Sequence, residues 1–211
     1  MKTFHWGILA TGLLLALPGC ALLSSTHPTQ TVYALALAPE SARPQSAVLH
    51  SWQIQVAEPQ ATAALQGTRI LVQPLPGQVQ VYAEARWQDT PSQLLQSLIV
   101  QSLRERAHLP AVTGSASLMR ADFRLESDVL AFQSEYRGAP LPTAVVRIDA
   151  RLVRLADGKV VSANTFALEQ SATGTDVPAV VSAFDHAANA LMASLTPWVL
   201  TAGDEAQLPQ H

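Results

Sequence analysis

Cysteine is nearly absent. The 211-residue chain has one, Cys20, so no intrachain disulfide and no cysteine-based metal cage can form. Lysine is almost as scarce: Lys2 and Lys159 stand beside eleven arginines. The 13 basic residues are outnumbered by 16 acidic ones. No basic excess is present to neutralise a phosphate backbone, which argues against nucleic-acid binding. Charged residues make up 14% against 48% apolar, the reverse of a disordered chain. The six histidines, at positions 5, 27, 50, 108, 186 and 211, never stand at a ligand spacing from one another. Neither G-x-x-x-x-G-K-[ST] nor G-x-G-x-x-G occurs, so ATP is not bound by a phosphate loop. No serine lies in a G-x-S-x-G frame, the frame of a hydrolase nucleophile.

What is present begins at the N-terminus. Lys2 precedes an apolar run from Trp6 to Ala16, shorter than the roughly 20 residues a bilayer span needs. It closes on Leu17-Pro18-Gly19-Cys20. A positive start, a short apolar run and a small-residue boundary describe a secretory signal. The cysteine at that boundary resembles a bacterial lipobox, in which the cysteine is acylated and becomes the new N-terminus. Pro18 departs from the usual small residue there. The expectation is a signal peptide over 1–19 and a lipidated Cys20, giving attachment to a membrane. Stable anchoring takes two or more acyl chains. Ala21 stands where an Asp favours inner-membrane retention in lipoproteins of the enterobacterial type, so the outer membrane is expected. Residues 20–30 carry Ser24-Ser25-Thr26-His27-Pro28 and no period. They read as a flexible tether, reaching at most about 35 Å.

The domain is expected over 31–201, followed by a polar tail over 202–211. Alternation predicts strands over 31–37, 48–56, 69–73 and 78–83, the last two forming a hairpin around Pro74-Leu75-Pro76-Gly77. The period then changes. Thr90 as N-cap, Pro91 at N1 and Gln93 at N3 start a helix over about 91–107. Leu94, Leu95, Leu98, Ile99 and Leu103 form its apolar stripe. Period 2 returns over 121–132, 144–155 and 160–171, with Asp157-Gly158 turning the last hairpin. Asp176 caps a second helix with Val180, Val181, Phe184, Ala188, Leu191 and Leu195 on one side. Pro197 is expected to kink or shorten its end. Strands, helix, strands, helix make an α+β fold: two layers, a mainly antiparallel sheet, and two amphipathic helices packed on one face.

Asp122, Glu126 and Asp128 share a predicted strand face and can be read as an acid/base pair. Cross-strand ion pairs with Arg147 and Arg151 are the simpler reading. His108 and His186 fall on predicted helices, as caps or surface residues. Trp52, Trp87 and Trp198 read as core or core-edge.

Tyr33-Ala34-Leu35, Tyr82 followed by Arg86-Trp87, the leucine-rich helix, the strand from Phe123 to Phe132, Ala150-Arg151-Leu152-Val153 before Asp157-Gly158-Lys159-Val160-Val161, and the closing alanine-rich helix with Trp198 form an ordered set. With the lipobox, that set resembles the auxiliary lipoprotein component of ABC-type transporters over roughly 31–200. The family includes the lipoprotein partner of paraquat-inducible, MCE-domain lipid-transport systems. The resemblance implies a non-enzymatic subunit on the periplasmic side of the outer membrane. Its implied partners are an MCE-domain protein and an ABC permease and ATPase, with self-association as a further option. It implies movement of lipid or other hydrophobic molecules across the envelope. No cofactor and no metal site is indicated. Tyr82, Arg86 and Trp87 combine aromatic and guanidinium groups of the kind enriched in interface hot spots, so they are the candidate partner contact. The rival readings are an anchored carrier that holds an apolar ligand by itself and a lipid-anchored hydrolase.

Overall fold

The computed structural model describes residues 30–39, 49–115 and 120–207. The signal peptide, Cys20 and most of the tether lie outside them. Among the described residues the chain forms β1 (Thr31–Tyr33), β2 (Ile54–Val56), β3 (Gln60–Ala61), a 3₁₀ turn (Ala63–Leu65), β4 (Arg69–Gln73) and β5 (Gln80–Trp87). Then follow α1 (Pro91–Arg106), β6 (Val112–Gly114), β7 (Phe123–Glu135), β8 (Thr143–Arg154), β9 (Lys159–Ser171) and α2 (Val177–Gln207).

β7 is the spine. On one side it pairs antiparallel with β8, and β8 with β9. This is the expected meander. On its other side β2, β3 and β4 line up one after another, all parallel to it, at Phe123–Leu125, Asp128–Val129 and Ser134–Glu135. β5 pairs antiparallel with β4, and β1 runs parallel to β5. β6 runs parallel to β2. The α+β class holds, but the sheet is mixed. Five of the eight pairings are parallel, although the two long ones are antiparallel. The cause is directional: three short segments reach β7 heading the same way.

Both helices cover the same face. Buried Leu94, Leu95, Leu98, Ile99 and Leu103 of α1 join Val180, Phe184, Ala188, Leu191 and Leu195 of α2 in one core cluster. The sheet contributes Phe123, Leu125, Phe132, Val146, Ile148 and Leu152. Each large side chain removed from water contributes about 1.5–3 kcal/mol. The helix contact carries one buried polar pair, Ser102 Oγ to Thr196 Oγ1 at 2.9 Å. Thr90 and Asp176 cap the two helices as expected, with the Gln93 side chain meeting the Thr90 hydroxyl rather than its backbone N–H. Thr90 Oγ1 accepts from Gln93 N at 3.3 Å and bonds the Gln93 side chain at 3.2 Å. Asp176 Oδ1 accepts from Ala179 N at 3.0 Å.

Three expectations change. The strand over 31–37 ends at Tyr33. Residues 34–39 instead lie along α2, where Ala36 N donates to Asp185 Oδ1 (3.1 Å) and Ala38 N to Asn189 Oδ1 (2.7 Å). Burial raises the Asp185 carboxyl pKa above its ordinary value. The strand over 48–56 is shortened to Ile54–Val56. Pro197 does not end α2, which continues to Gln207 through residues expected in a polar tail. Pro197 faces solvent, so the carbonyl it frees can reach water, and buried Val199, Ala202 and Gly203 hold the following turns.

Candidate functional site

The sheet face away from the helices carries the charges. Period 2 along β7 and β8 sends Arg124, Glu126 and Asp128, and Arg147, Asp149 and Arg151, to that side. Register places Glu126 opposite Arg151 and Asp128 opposite Asp149. Two carboxylates face to face are unfavourable. The structure relieves them sideways: Arg151 reaches Asp128 Oδ2 at 2.9 Å, and Thr165 Oγ1 donates to Asp149 Oδ1 at 2.6 Å. A bulge between Val129 and Ala131 shifts Arg147 opposite Ala131 and leaves Leu130 exposed. Asp122 is not in the expected ion pair; its Oδ2 accepts from Gln53 N at 2.8 Å. The acids are thus spent on pairing and backbone contacts, and no acid/base pair is assembled from them.

Two open grooves flank this face. A smaller one, about 270 Å³, is lined by Gln55, Glu58, Ser115, Arg124, Glu126 and Arg151 among others. Its wall is fixed by Gln96 Nε2, which donates to Val56 O (3.0 Å) and Ser115 Oγ (2.7 Å), while Ser115 Oγ accepts from Glu58 N (2.8 Å). A larger groove, about 920 Å³, shares Gln55 and Arg124 and adds Gln53, Arg120, Asp122 and Arg154. Arg124 Nε donates to Gln55 Oε1 at 2.9 Å, between the two. Both linings mix charged and polar side chains with apolar ones, the polar share being the larger, a chemistry suited to orienting a polar partner. Among the described residues no group of three or more His, Cys, Asp or Glu could hold a metal ion.

The three candidate contact residues are separated by their surroundings. Leu71 faces Val81 while Arg69 faces Arg86, so β5 bulges between these pairs. Trp87 is fully buried, edge-on to Phe132 at 5.5 Å and to Phe184 at 5.2 Å. It is a core residue. Its Nε1 has no hydrogen-bond partner among the described residues. Tyr82 is half-buried, its hydroxyl 3.2 Å from Ser134 Oγ, and burial raises its pKa. Arg86 donates to Trp87 O at 3.2 Å and is partly exposed. Only Tyr82 and Arg86 reach the surface. Of the other residues singled out, Trp198 is half-buried edge-on to Phe166. His186 is on α2, but His108 lies just beyond α1 with φ of 46°. Cys20 lies outside the described residues.

The sequence reading also missed a latch at the far end of α2. Asp204 Oδ1 accepts from Trp52 Nε1 at 2.8 Å and contacts His50 Nδ1 at 2.9 Å. The Trp52 ring lies over Gly203, with no room for a Cβ. A glycine on a buried helix stripe was the available signal.

This α+β fold is shared by known proteins. A crystal structure of a protein from Xanthomonas campestris is 33% identical, with a TM-score of 0.75, covering 83% of this chain and 98% of that one. A second solved protein, 17% identical with a TM-score of 0.63, covers 81% of this chain and 99% of its own, and shares the fold. A Bradyrhizobium diazoefficiens protein is 28% identical over 166 residues, covering 78% of this chain. The chain spans 43% of that relative's length. Residues 33–196 match the ABC-type transport auxiliary lipoprotein component, and the chain belongs to that family. The family is described as an auxiliary lipoprotein component of ABC-type transport.

Proposed function

We propose that the chain is a non-catalytic, lipid-anchored subunit of an ABC/MCE-type system that moves lipid or other hydrophobic molecules across the envelope. Cys20 carries the acyl anchor at the periplasmic side of the outer membrane. The domain works by contact with an MCE-domain protein and, through it, with the permease and ATPase. Family membership over 33–196 carries this reading. The polar grooves and the mixed-charge face support protein contact over enclosure of an acyl chain. The carrier reading has one observation in its favour, a notch of about 220 Å³ lined in part by Leu65, Leu71, Val79 and Leu130.

Cys20→Ser is expected to release the chain from membranes, because among the described residues no helix is long and apolar enough to span one. Retention of the variant in the membrane fraction after an alkaline carbonate wash, which strips peripheral contacts, overturns the anchor. Arg86→Ala is expected to weaken pull-down of an MCE-type subunit about tenfold, on the scale of a moderate interface contact of ~1.4 kcal/mol. Arg86 is only partly exposed and donates to Trp87 O, so capture is compared only for a variant whose melting curve matches the parent. Undiminished capture removes this strand as the contact. A purified domain carrying stoichiometric lipid by mass spectrometry supports the carrier instead.

A further inference from the structure

The two ends of the domain differ in chemistry, and the chain reaches Cys20 from one of them. At the first end lie the β4–β5 turn and the β7–β8 turn, joined where Tyr136 N donates to Gln73 O at 3.0 Å. Residues 74–83 and 138–146 contain no Asp, Glu, Lys or Arg. Leu75, Val79 and Leu141 are exposed there, at 53%, 55% and 39%. The arginine between these runs, Arg137, is matched by Glu135 at 2.6 Å and Glu169 at 2.8 Å. At the opposite end, around the β8–β9 turn and the last turn of α2, Leu155 and Val160 are exposed too. There they sit among Arg120, Asp122, Arg154, Asp157, Lys159 and Glu205. Exposed apolar side chains on a charge-free rim mark a surface that meets something apolar.

The path of the chain says which apolar surface. Gln30 Nε2 donates to Ala83 O at 3.3 Å, three residues from the start of β5 at Gln80, about 10 Å from the charge-free end. Gln30 is ten chain steps from Cys20, a contour of at most about 35 Å. β7 alone has 13 residues, roughly 40 Å of strand. A tether that short, starting close to the charge-free end, brings that end to the surface holding Cys20. To lay the charged end there it would have to run nearly fully extended along most of the domain.

We propose that the end formed by Leu75, Val79 and Leu141 rests on the lipid surface into which Cys20 is anchored, pointing the charged end and the polar grooves away from that membrane. This rests on the reading of Cys20 as lipidated. The apolar side chains sit at the headgroup boundary, as those of interfacial proteins do, and the contact depends little on salt because the one arginine at this end is matched by Glu135 and Glu169.

The test uses the mature acylated chain in vesicles of phosphatidylethanolamine and phosphatidylglycerol. With Cys20 acylated, Leu75→Cys, Leu141→Cys or Asp157→Cys supplies a single free thiol for a nitrobenzoxadiazole label. Labels at 75 and 141 are expected to show blue-shifted emission and lose most of it to doxyl-labelled lipid, unchanged in high salt. The label at 157 is expected to emit as in water. Water-like emission at all three sites, with the protein still floating with the vesicles, overturns the proposal and leaves the anchor standing. Labels at 75 and 141 shielded from aqueous quencher but untouched by doxyl lipid also overturn it, and assign the rim to a second copy. Mass spectrometry showing no acyl group on Cys20 overturns the anchor reading and the proposal with it.

Discussion

Leu98→Asp is expected to unfold the domain. Leu98 is 4% exposed, in the middle of the α1 stripe and inside the single core cluster. Removing a buried leucine side chain costs about 2–5 kcal/mol. The aspartate adds a carboxyl group without a built partner, which must either stay charged in an apolar setting or take up a proton, at a further cost of several kcal/mol. A domain of this size is stable by about 5–15 kcal/mol, so the two effects together remove most or all of it. Asp122→Asn is the control. Its carboxylate accepts one hydrogen bond, from Gln53 N, at an exposed position, and asparagine keeps an oxygen acceptor there. The loss is expected to stay within about 1 kcal/mol. Circular dichroism melts of both variants check the ranking, and the opposite order would mean that the two sheet faces are exchanged.

That ranking could be written from the sequence because α1 is declared locally. Thr90, Pro91 and Gln93 mark its start, and the apolar residues keep one period from Leu94 to Leu103. The β7–β8–β9 meander is equally local, with Asp157-Gly158 turning back a strand onto its neighbour in near-continuous register. The other side of β7 is different. Ile54–Val56, Gln60–Ala61 and Val72–Gln73 come from three separate segments and align along one strand. Nothing in the alternation of a three-residue strand states its partner or its direction. β1 ends early for the same reason: Asp185 and Asn189, about 150 residues away, take the backbone of Ala36 and Ala38. Trp87 was partly legible, since Ala85 and Trp87 share one face by period 2 and both are buried. Period 2 also turns Arg86 to the face opposite Trp87, and the β5 irregularity lies between Arg86 and Val81, so the three residues read together as one contact do not form one. The charges of the open face were legible as a row, and so was the cross-strand ion pair of Arg151 with Asp128; the place of Arg147 was not, because the bulge near Leu130 sets it opposite Ala131.

Gly203→Ala is expected to destabilise the domain, against the intrinsic preference of helices for alanine. That preference favours Ala by about 1 kcal/mol in a helix interior. The added Cβ, however, would stand 2.7 Å from Trp52 Cε2 and 2.8 Å from Cη2, and closer still to Cζ2. Trp52 has nowhere to go. Its Nε1 is held by Asp204 Oδ1 at 2.8 Å, its ring meets Phe123 edge-on at 5.3 Å, and it is 1% exposed. Either the ring moves and loses the hydrogen bond, about 1 kcal/mol, or the core absorbs an overpacking cost of about 1–3 kcal/mol. Valine at 203 adds two more methyl groups and is expected to detach the last turns of α2 from the sheet. The coupling is read from a cycle of melts with Trp52→Leu, which removes the indole. In that background Gly203→Ala should recover its helical advantage and raise the melting temperature. If Gly203→Ala is stabilising with Trp52 intact, the indole does not lie over the glycine, and the continuation of α2 past Pro197 needs another support.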